Sequence, residues 1–281
     1  MKIISKLLLE ARLSYPRPDQ KDRAGFTFTE LLVAIAVVGI LALMVLPALA
    51  RTSPNSQAMQ CMNNLRQITA AWKMYADDNQ DYLVASLGTS GFYNGRPVWM
   101  TGNISGFSPS GWDINIDIVK SPLWVFVGKQ ASVFKCPADR TTVTIAGVVY
   151  PRVRSISMSQ VFDSGTWLTP GSWRTYAKIS DIIRPANTFV FADESPESIN
   201  DGALAVQCDG SQGTSGTPFI IDVPANYHNK AGDFSFADGH SQIHKWQGGF
   251  IGNFSGGFES VLVGGDLADF NWLAQNTTVK K

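Results

Sequence analysis

Twenty consecutive residues from Leu31 to Ala50 carry no charge, and a helix built from them would rise about 30 Å, the thickness of a bilayer's hydrocarbon core. Gly39 and Pro47 fall inside this run; a proline removes one backbone hydrogen bond and kinks a helix, which neighbouring helices in a bundle tolerate. Beyond the run, Ser53-Pro54 reads as a restart, with serine as N-cap and proline at the first helical position. Met59, Met62, Leu65, Ile68, Trp72 and Tyr75 then recur every three or four residues, which predicts an amphipathic helix ending near Asp77-Asp78-Asn79. A stripe of that composition belongs in a core rather than around a cofactor.

After Asp81 the apolar runs shorten and glycine and aromatic residues become frequent. Val143–Tyr150, Thr188–Ala192 and the pair Asp233–Ala237 and His240–Trp246 read as strands. Asp238-Gly239 joins the last pair, and a glycine there suits the positive φ of a type I′ hairpin. Ile114, Ile116 and Ile118 alternate with Asp113, Asn115 and Asp117, the pattern of an exposed strand face. Ser121-Pro122-Leu123-Trp124-Val125-Phe126 opens a short helix, and segments 86–112, 163–175, 207–218 and 247–258 are Gly/Ser/Thr-rich loops. These elements divide the chain into a leader (1–25), an apolar helix (26–50), an amphipathic helix (51–80) and a β-rich globular domain (81–281), an α+β organisation.

With 44% hydrophobic and 16% charged side chains in 281 residues, the chain fits a globular protein of one or two domains behind its apolar run. Its 23 basic and 23 acidic residues cancel but are unevenly placed: six and three of them fall in residues 1–25, which leaves 17 and 20 and a net of −3 for the rest. A basic leader beside a single span keeps the leader cytoplasmic and sends everything after Arg51 across the membrane, so that the bulk of the protein is extracytoplasmic. Pro16 and Pro18 discourage a continuous helix in the leader, which is set aside as a processed segment. No basic run occurs in the remainder, so nucleic acid is not an expected partner. A secretory signal peptide would have a shorter apolar run and a small-x-small cleavage pattern before Arg51. It would also lack Glu30, whose carboxylate costs ~2.5–3.5 kcal/mol at mid-membrane and less near the interface, so that Glu30 marks a functional position.

No nucleophile elbow, phosphate loop or dinucleotide fingerprint is present, and the chain is not expected to be an enzyme. Cys61, Cys136 and Cys208 are widely spaced with no C-x-x-C, which argues against a zinc site. One disulfide with one leftover thiol is open to them, Cys61 and Cys136 being the candidate pair; so is the role of three small buried hydrophobes. Asp113-x-Asn115-x-Asp117 copies the first ligand spacings of an EF-hand, but Ile118 and Trp124 occupy its required glycine and glutamate positions, which excludes that site. The stretch Asp193 to Gly202 is richer in oxygen. Asp193, Glu194, Glu197, Asn200 and Asp201 offer a candidate Ca²⁺ set beside the alternative of a solvated acidic turn. His228 and Asp238 suggest acid–base chemistry with Glu194 as a further carboxyl group, or more simply a structural hydrogen bond that pins the turn at Gly239.

Gly25-Phe26-Thr27-Phe28-Thr29-Glu30 and the apolar run behind it resemble the cleavage and methylation signal of type IV pilins and type II secretion pseudopilins. The resemblance implies cleavage after Gly25, methylation of the new N-terminal Phe26, and Glu30 as the fifth residue of the mature chain, with Pro47 the twenty-second. It further implies a pilin-like fold whose long N-terminal helix lies half in the membrane and half on an antiparallel sheet. Major pseudopilins also bind calcium in a loop of the globular domain. Cys61-Met62-Asn63-Asn64-Leu65-Arg66-Gln67-Ile68, Phe134-Lys135-Cys136-Pro137-Ala138-Asp139 and His228-x9-Asp238-Gly239 are similar to a pseudopilin-like subgroup in which the last pattern closes the globular domain. The implied partners are further copies of the chain and other pseudopilins in a periplasmic or surface filament, the prepilin peptidase and methyltransferase, and the inner-membrane secretion platform. Two rival classes remain distinguishable: a carbohydrate-binding surface module would expose Trp99, Trp112, Trp167 or Trp173 as a flat patch, and a membrane-anchored hydrolase would hold His228 and a carboxylate in a cleft.

Overall fold

The computed structural model describes residues 27–50, 54–104, 108–209, 220–254 and 264–281, with side chains of the two N-terminal helices described over 28–41 and from 56 onward. The leader, the expected cleavage position at Gly25 and Phe26, and the expected cap Ser53 lie outside the described residues. The chain divides into two units, Met1–Arg51 and Thr52–Lys281.

The first unit carries α1, Phe28–Ala50, whose 23 residues extend about 35 Å at ~1.5 Å per residue. Thr27 caps it: the Glu30 amide donates to Thr27 Oγ1 at 3.2 Å, and the Thr27 amide donates back to Glu30 Oε2 at 2.8 Å, a reciprocal capping box. The apolar side chains from Phe28 to Leu41 are all exposed. Among the described residues no helix is long and apolar enough to cross a membrane; the side chains of α1 beyond Leu41 are outside that set.

The second unit is built on α2, Pro54–Asp78, as the periodicity predicts. Leu65, Ile68 and Trp72 are fully buried, and Met62 and Tyr75 nearly so; each large apolar side chain taken from water contributes ~1.5–3 kcal/mol. Met59 departs from the expected stripe, being 51% exposed, and Ala58 and Cys61 occupy the buried face there instead.

Nine strands follow among the described residues. β1 (Phe92–Tyr93) and β2 (Arg96–Pro97) make a short ribbon, and β3 (Thr142–Ile145) and β4 (Val148–Pro151) a hairpin. β5 (Ile156–Ser159), β6 (Phe189–Asp193), β7 (Ala203–Leu204), β8 (Ala231–Phe236) and β9 (Ser241–Lys245) form one sheet in the order β7-β5-β6-β8-β9. Its pairings are antiparallel except β5 with β7. α2 covers one face, where Thr69 Oγ1 donates to Ser235 Oγ of β8 at 2.7 Å. Two helices near the C-terminus, α3 (Gly249–Gly252) and α4 (Gly264–Gln275), complete the chain. Phe270 and Leu273 of α4 pack with Phe189, Phe234 and Phe236 in a second apolar cluster. The sheet is thus sandwiched between helices, an α+β arrangement.

Four local expectations are corrected. Val143–Tyr150 is a hairpin rather than one strand, because Ala146 and Gly147 both adopt positive φ, +49° and +82°, the conformation of a two-residue I′ turn. The β8–β9 hairpin forms where expected, but its turn differs. Gly239 N donates to Phe236 O, and of the turn residues only Gly239 has positive φ, at +105°, which is a type I turn closed by a glycine bulge. Residues 113–118 make hydrogen-bonded turns instead of a strand: Asp113 Oδ1 accepts from the Asn115 amide at 2.9 Å, Asp117 Oδ1 accepts from the Thr101 amide at 2.7 Å, and Ile118 is buried. The stretch after Ser121 is a series of turns and not a helix.

Candidate functional site

The acidic stretch Asp193 to Asp201 does not gather its five expected calcium ligands. Asp193 and Glu194 are fully buried at the end of β6, while Glu197 and Asn200 face solvent. Glu194 Oε1 accepts from Ser198 Oγ at 2.9 Å, and Asp201 Oδ1 from the Ala203 amide at 2.8 Å. Two guanidinium groups already answer the loop's negative charge. Arg154, itself buried, donates to the Asp201 carbonyl at 2.7 Å, and Arg152 to the Pro196 carbonyl at 3.1 Å.

His228 and Asp238 are also not brought together. Asp238 Oδ1 lies 2.7 Å from His240 Nδ1 and accepts from the His240 amide at 3.0 Å, so the turn is pinned by its own histidine. His228 instead points inward, with its Nε2 3.3 Å from Cys136 Sγ and 2.9 Å from Asp233 Oδ2.

Around that nitrogen the fold assembles a cluster. Cys61 stands on α2, Cys136 just beyond a 3₁₀ turn at Ala131–Phe134, Asp193 at the end of β6, and His228 in the loop before β8. One ligand atom from each lies within 4.8 Å of all the others, and all four residues are buried; among the described residues this is the group of histidine, cysteine and carboxylate side chains with the spacing to hold a metal ion. Local bonds explain the positions. Asn64, three residues after Cys61 on α2, donates to the carbonyls of Ser132 and Lys135 at 3.2 and 3.1 Å and fixes the approach to Cys136. Ser155 Oγ accepts from the Cys136 amide at 2.8 Å and donates to Asp193 Oδ1 at 2.6 Å. Ala192 pairs with Phe234, and the next step along the antiparallel ladder sets Asp193 beside Asp233.

The cysteines are free and buried, so the candidate disulfide between Cys61 and Cys136 is not formed; the thiols stand side by side. Their electrostatics diverge. Burial, Cys136 and the neighbouring carboxylates push Cys61 well above the usual thiol range. Hydrogen bonding to Cys61, helped by His228 and outweighing burial, draws Cys136 down to about 6. Burial and the charge of Cys136 raise Asp193 well above an ordinary carboxyl group. Burial opposes the charged form of His228, but Asp233 and Cys136 together hold it up to about 9.

A cysteine, a histidine and an aspartate in contact invite comparison with a catalytic triad, and the geometry is wrong for one. In a triad the imidazole bridges nucleophile and acid through its two different nitrogens. Here Cys136 and Asp233 both approach Nε2, while Nδ1 has no hydrogen-bond partner among the described residues. The tryptophans make no flat platform either. Trp99 is buried and donates to the Gly202 carbonyl at 2.8 Å, Trp112 and Trp173 are half-buried, and Trp167 alone of the four is exposed.

Sequence reasoning missed this cluster because the four residues are scattered over the chain and the two cysteines show no metal-binding spacing. Asp233 was legible only as part of a strand. A carboxylate facing inward from a strand was the one available signal. Comparison with known proteins adds the N-terminal segment: residues 20–46 match the prokaryotic N-terminal methylation motif. No curated protein and no solved structure matches the chain. The matched segment contains Gly25, Phe26 and Glu30 and is consistent with a type IV pilin-like precursor.

Proposed function

We propose that the chain is a structural subunit, a pseudopilin, cut after Gly25 and polymerised through α1 into a type II secretion-like or pilus-like filament. The methylation motif over residues 20–46 carries this reading. The exposed apolar face of α1 from Phe28 to Leu41 supports it, since so much contiguous apolar surface calls for lipid or for other helices. In the filament Glu30 pairs with the N-terminal amine of Phe26 on the neighbouring subunit, and assembly neutralises both groups in low dielectric. The leader stays cytoplasmic, the globular unit lies in the periplasm, and the secretion platform of the inner membrane drives assembly.

Mass spectrometry of the protein from its native host tests the processing step. The expected product begins at Phe26 with one added methyl group, and a bulky residue in place of Gly25 leaves full-length precursor in the membrane. An intact leader on the unaltered protein would refute the assignment.

A further inference from the structure

We propose that Cys61, Cys136, Asp193 and His228 form a binding site for one divalent transition-metal ion of the zinc class. The inference stands independently of the filament reading, because it concerns only the interior of the globular unit.

Geometry comes first. Ligands about 2.0–2.3 Å from a tetrahedral ion stand roughly 3.3–3.8 Å apart. The Cys136 Sγ to His228 Nε2 distance is 3.3 Å, and the whole set fits within 4.8 Å, so closure requires movements of about an ångström. The donor set is two sulfurs, one nitrogen and one oxygen. Thiolate and imidazole suit zinc and its neighbours, whereas calcium and magnesium take oxygen ligands.

Charge comes second. Cys61, Cys136 and Asp193 meet at one buried point with Asp233 behind His228, and His228 is the cluster's one basic group. Asp233 is completely buried; its Oδ1 has no hydrogen-bond partner among the described residues, and its Oδ2 faces His228 Nε2 at 2.9 Å. Buried acidic groups in this number are unfavourable unless a cation neutralises them. A divalent ion takes the thiolates, the Asp193 carboxylate and His228 Nε2, and its charge also offsets that of Asp233, which lies 2.9 Å from the same nitrogen.

Support comes third. Metal-binding side chains are held by further hydrogen bonds. The Ala138 amide donates to Cys136 Sγ at 3.4 Å, and Ser155 occupies Asp193 Oδ1, which leaves Oδ2 turned toward Cys61 at 4.0 Å. The three sequence motifs containing Cys61, Cys136 and His228 thus meet at one point.

The test uses the full chain, solubilised in detergent and never exposed to chelator. Elemental analysis is combined with thiol titration after denaturation, and zinc is then exchanged for cobalt. The expected result is one zinc ion per chain, three titratable thiols, and in the cobalt form the visible bands of a tetrahedral site with thiolate charge transfer. Cys208→Ser removes a buried thiol outside the cluster and keeps the ion; Cys61→Ser and His228→Gln lose it. The cobalt spectrum of the unaltered chain needs no variant, so misfolding of a variant leaves the proposal testable. One titratable thiol without metal would show a Cys61–Cys136 disulfide and overturn the proposal. Three thiols with no uptake of added zinc or cobalt would overturn it equally, as would full metal content and an unchanged cobalt spectrum in folded Cys61→Ser and His228→Gln.

Discussion

At the start of α1 the Glu30 carboxylate accepts from both the amide and the hydroxyl of Thr27, so Glu30→Ala removes a helix cap as well as a charge. Glu30→Gln separates the two, because glutamine serves a capping box as glutamate does. The Gln variant is expected to insert and remain helical yet be absent from filaments, and a normal filament yield would show that charge pairing is not what assembly requires. A second carboxyl group, Asp222, contributes to pH dependence beside the buried Asp193 and Glu194. Burial pushes it up to about 7 from an ordinary 3.8, against the hydrogen bond it accepts from the Ala205 amide. The folded state therefore holds this proton more tightly than the unfolded chain does. The stabilisation is complete below about pH 4 and is lost as the pH rises through 7, by up to roughly 4 kcal/mol. Asp222→Asn keeps an acceptor for Ala205 and should flatten the melting temperature between pH 5 and pH 8; an undiminished slope would rule Asp222 out as its source.

The elements that could be read from the sequence were those whose pattern is local. α2 follows from a stripe of three- and four-residue spacing, and the β8–β9 hairpin from alternation around Asp238-Gly239. Val143–Tyr150 was misread because its turn lies inside an apolar run and is made by Ala146-Gly147, with no polar residue to mark it. Ile114, Ile116 and Ile118 alternate as in a strand, but Asp113 and Asp117 bind nearby amides and curl the chain. The parallel partnership of β7 with β5, and the meeting of α2 with the 131–136 turn, β6 and the loop before β8, depend on long-range packing that no window of sequence contains. The Ala146 turn yields a prediction. A residue other than glycine pays ~1–2 kcal/mol for left-handed backbone, and asparagine tolerates it better. Ala146 is exposed, so Ala146→Asn should stabilise the globular unit by about 0.5–1 kcal/mol in denaturant unfolding; destabilisation would mean that the turn is not of this type.

For the molecule as a whole, the two units make opposite demands on their surroundings, one exposing apolar side chains along α1 and the other enclosing its core between helices and sheet. The full chain is accordingly expected to need detergent for extraction. The sheet has two margins, β7 and β9, and a free margin offers unpaired amide and carbonyl groups to any strand that approaches. One margin is only two residues long, and the other ends at the exposed Lys245. Charge and shortness are the devices by which natural sheets resist edge-to-edge fusion. Copies crowded at high local density can then lie side by side without zipping into amyloid, and part again as intact molecules. Lys245→Val is expected to promote seeded, dye-binding fibrils, and its lack of effect on fibril lag time would show that the margin is guarded by something else.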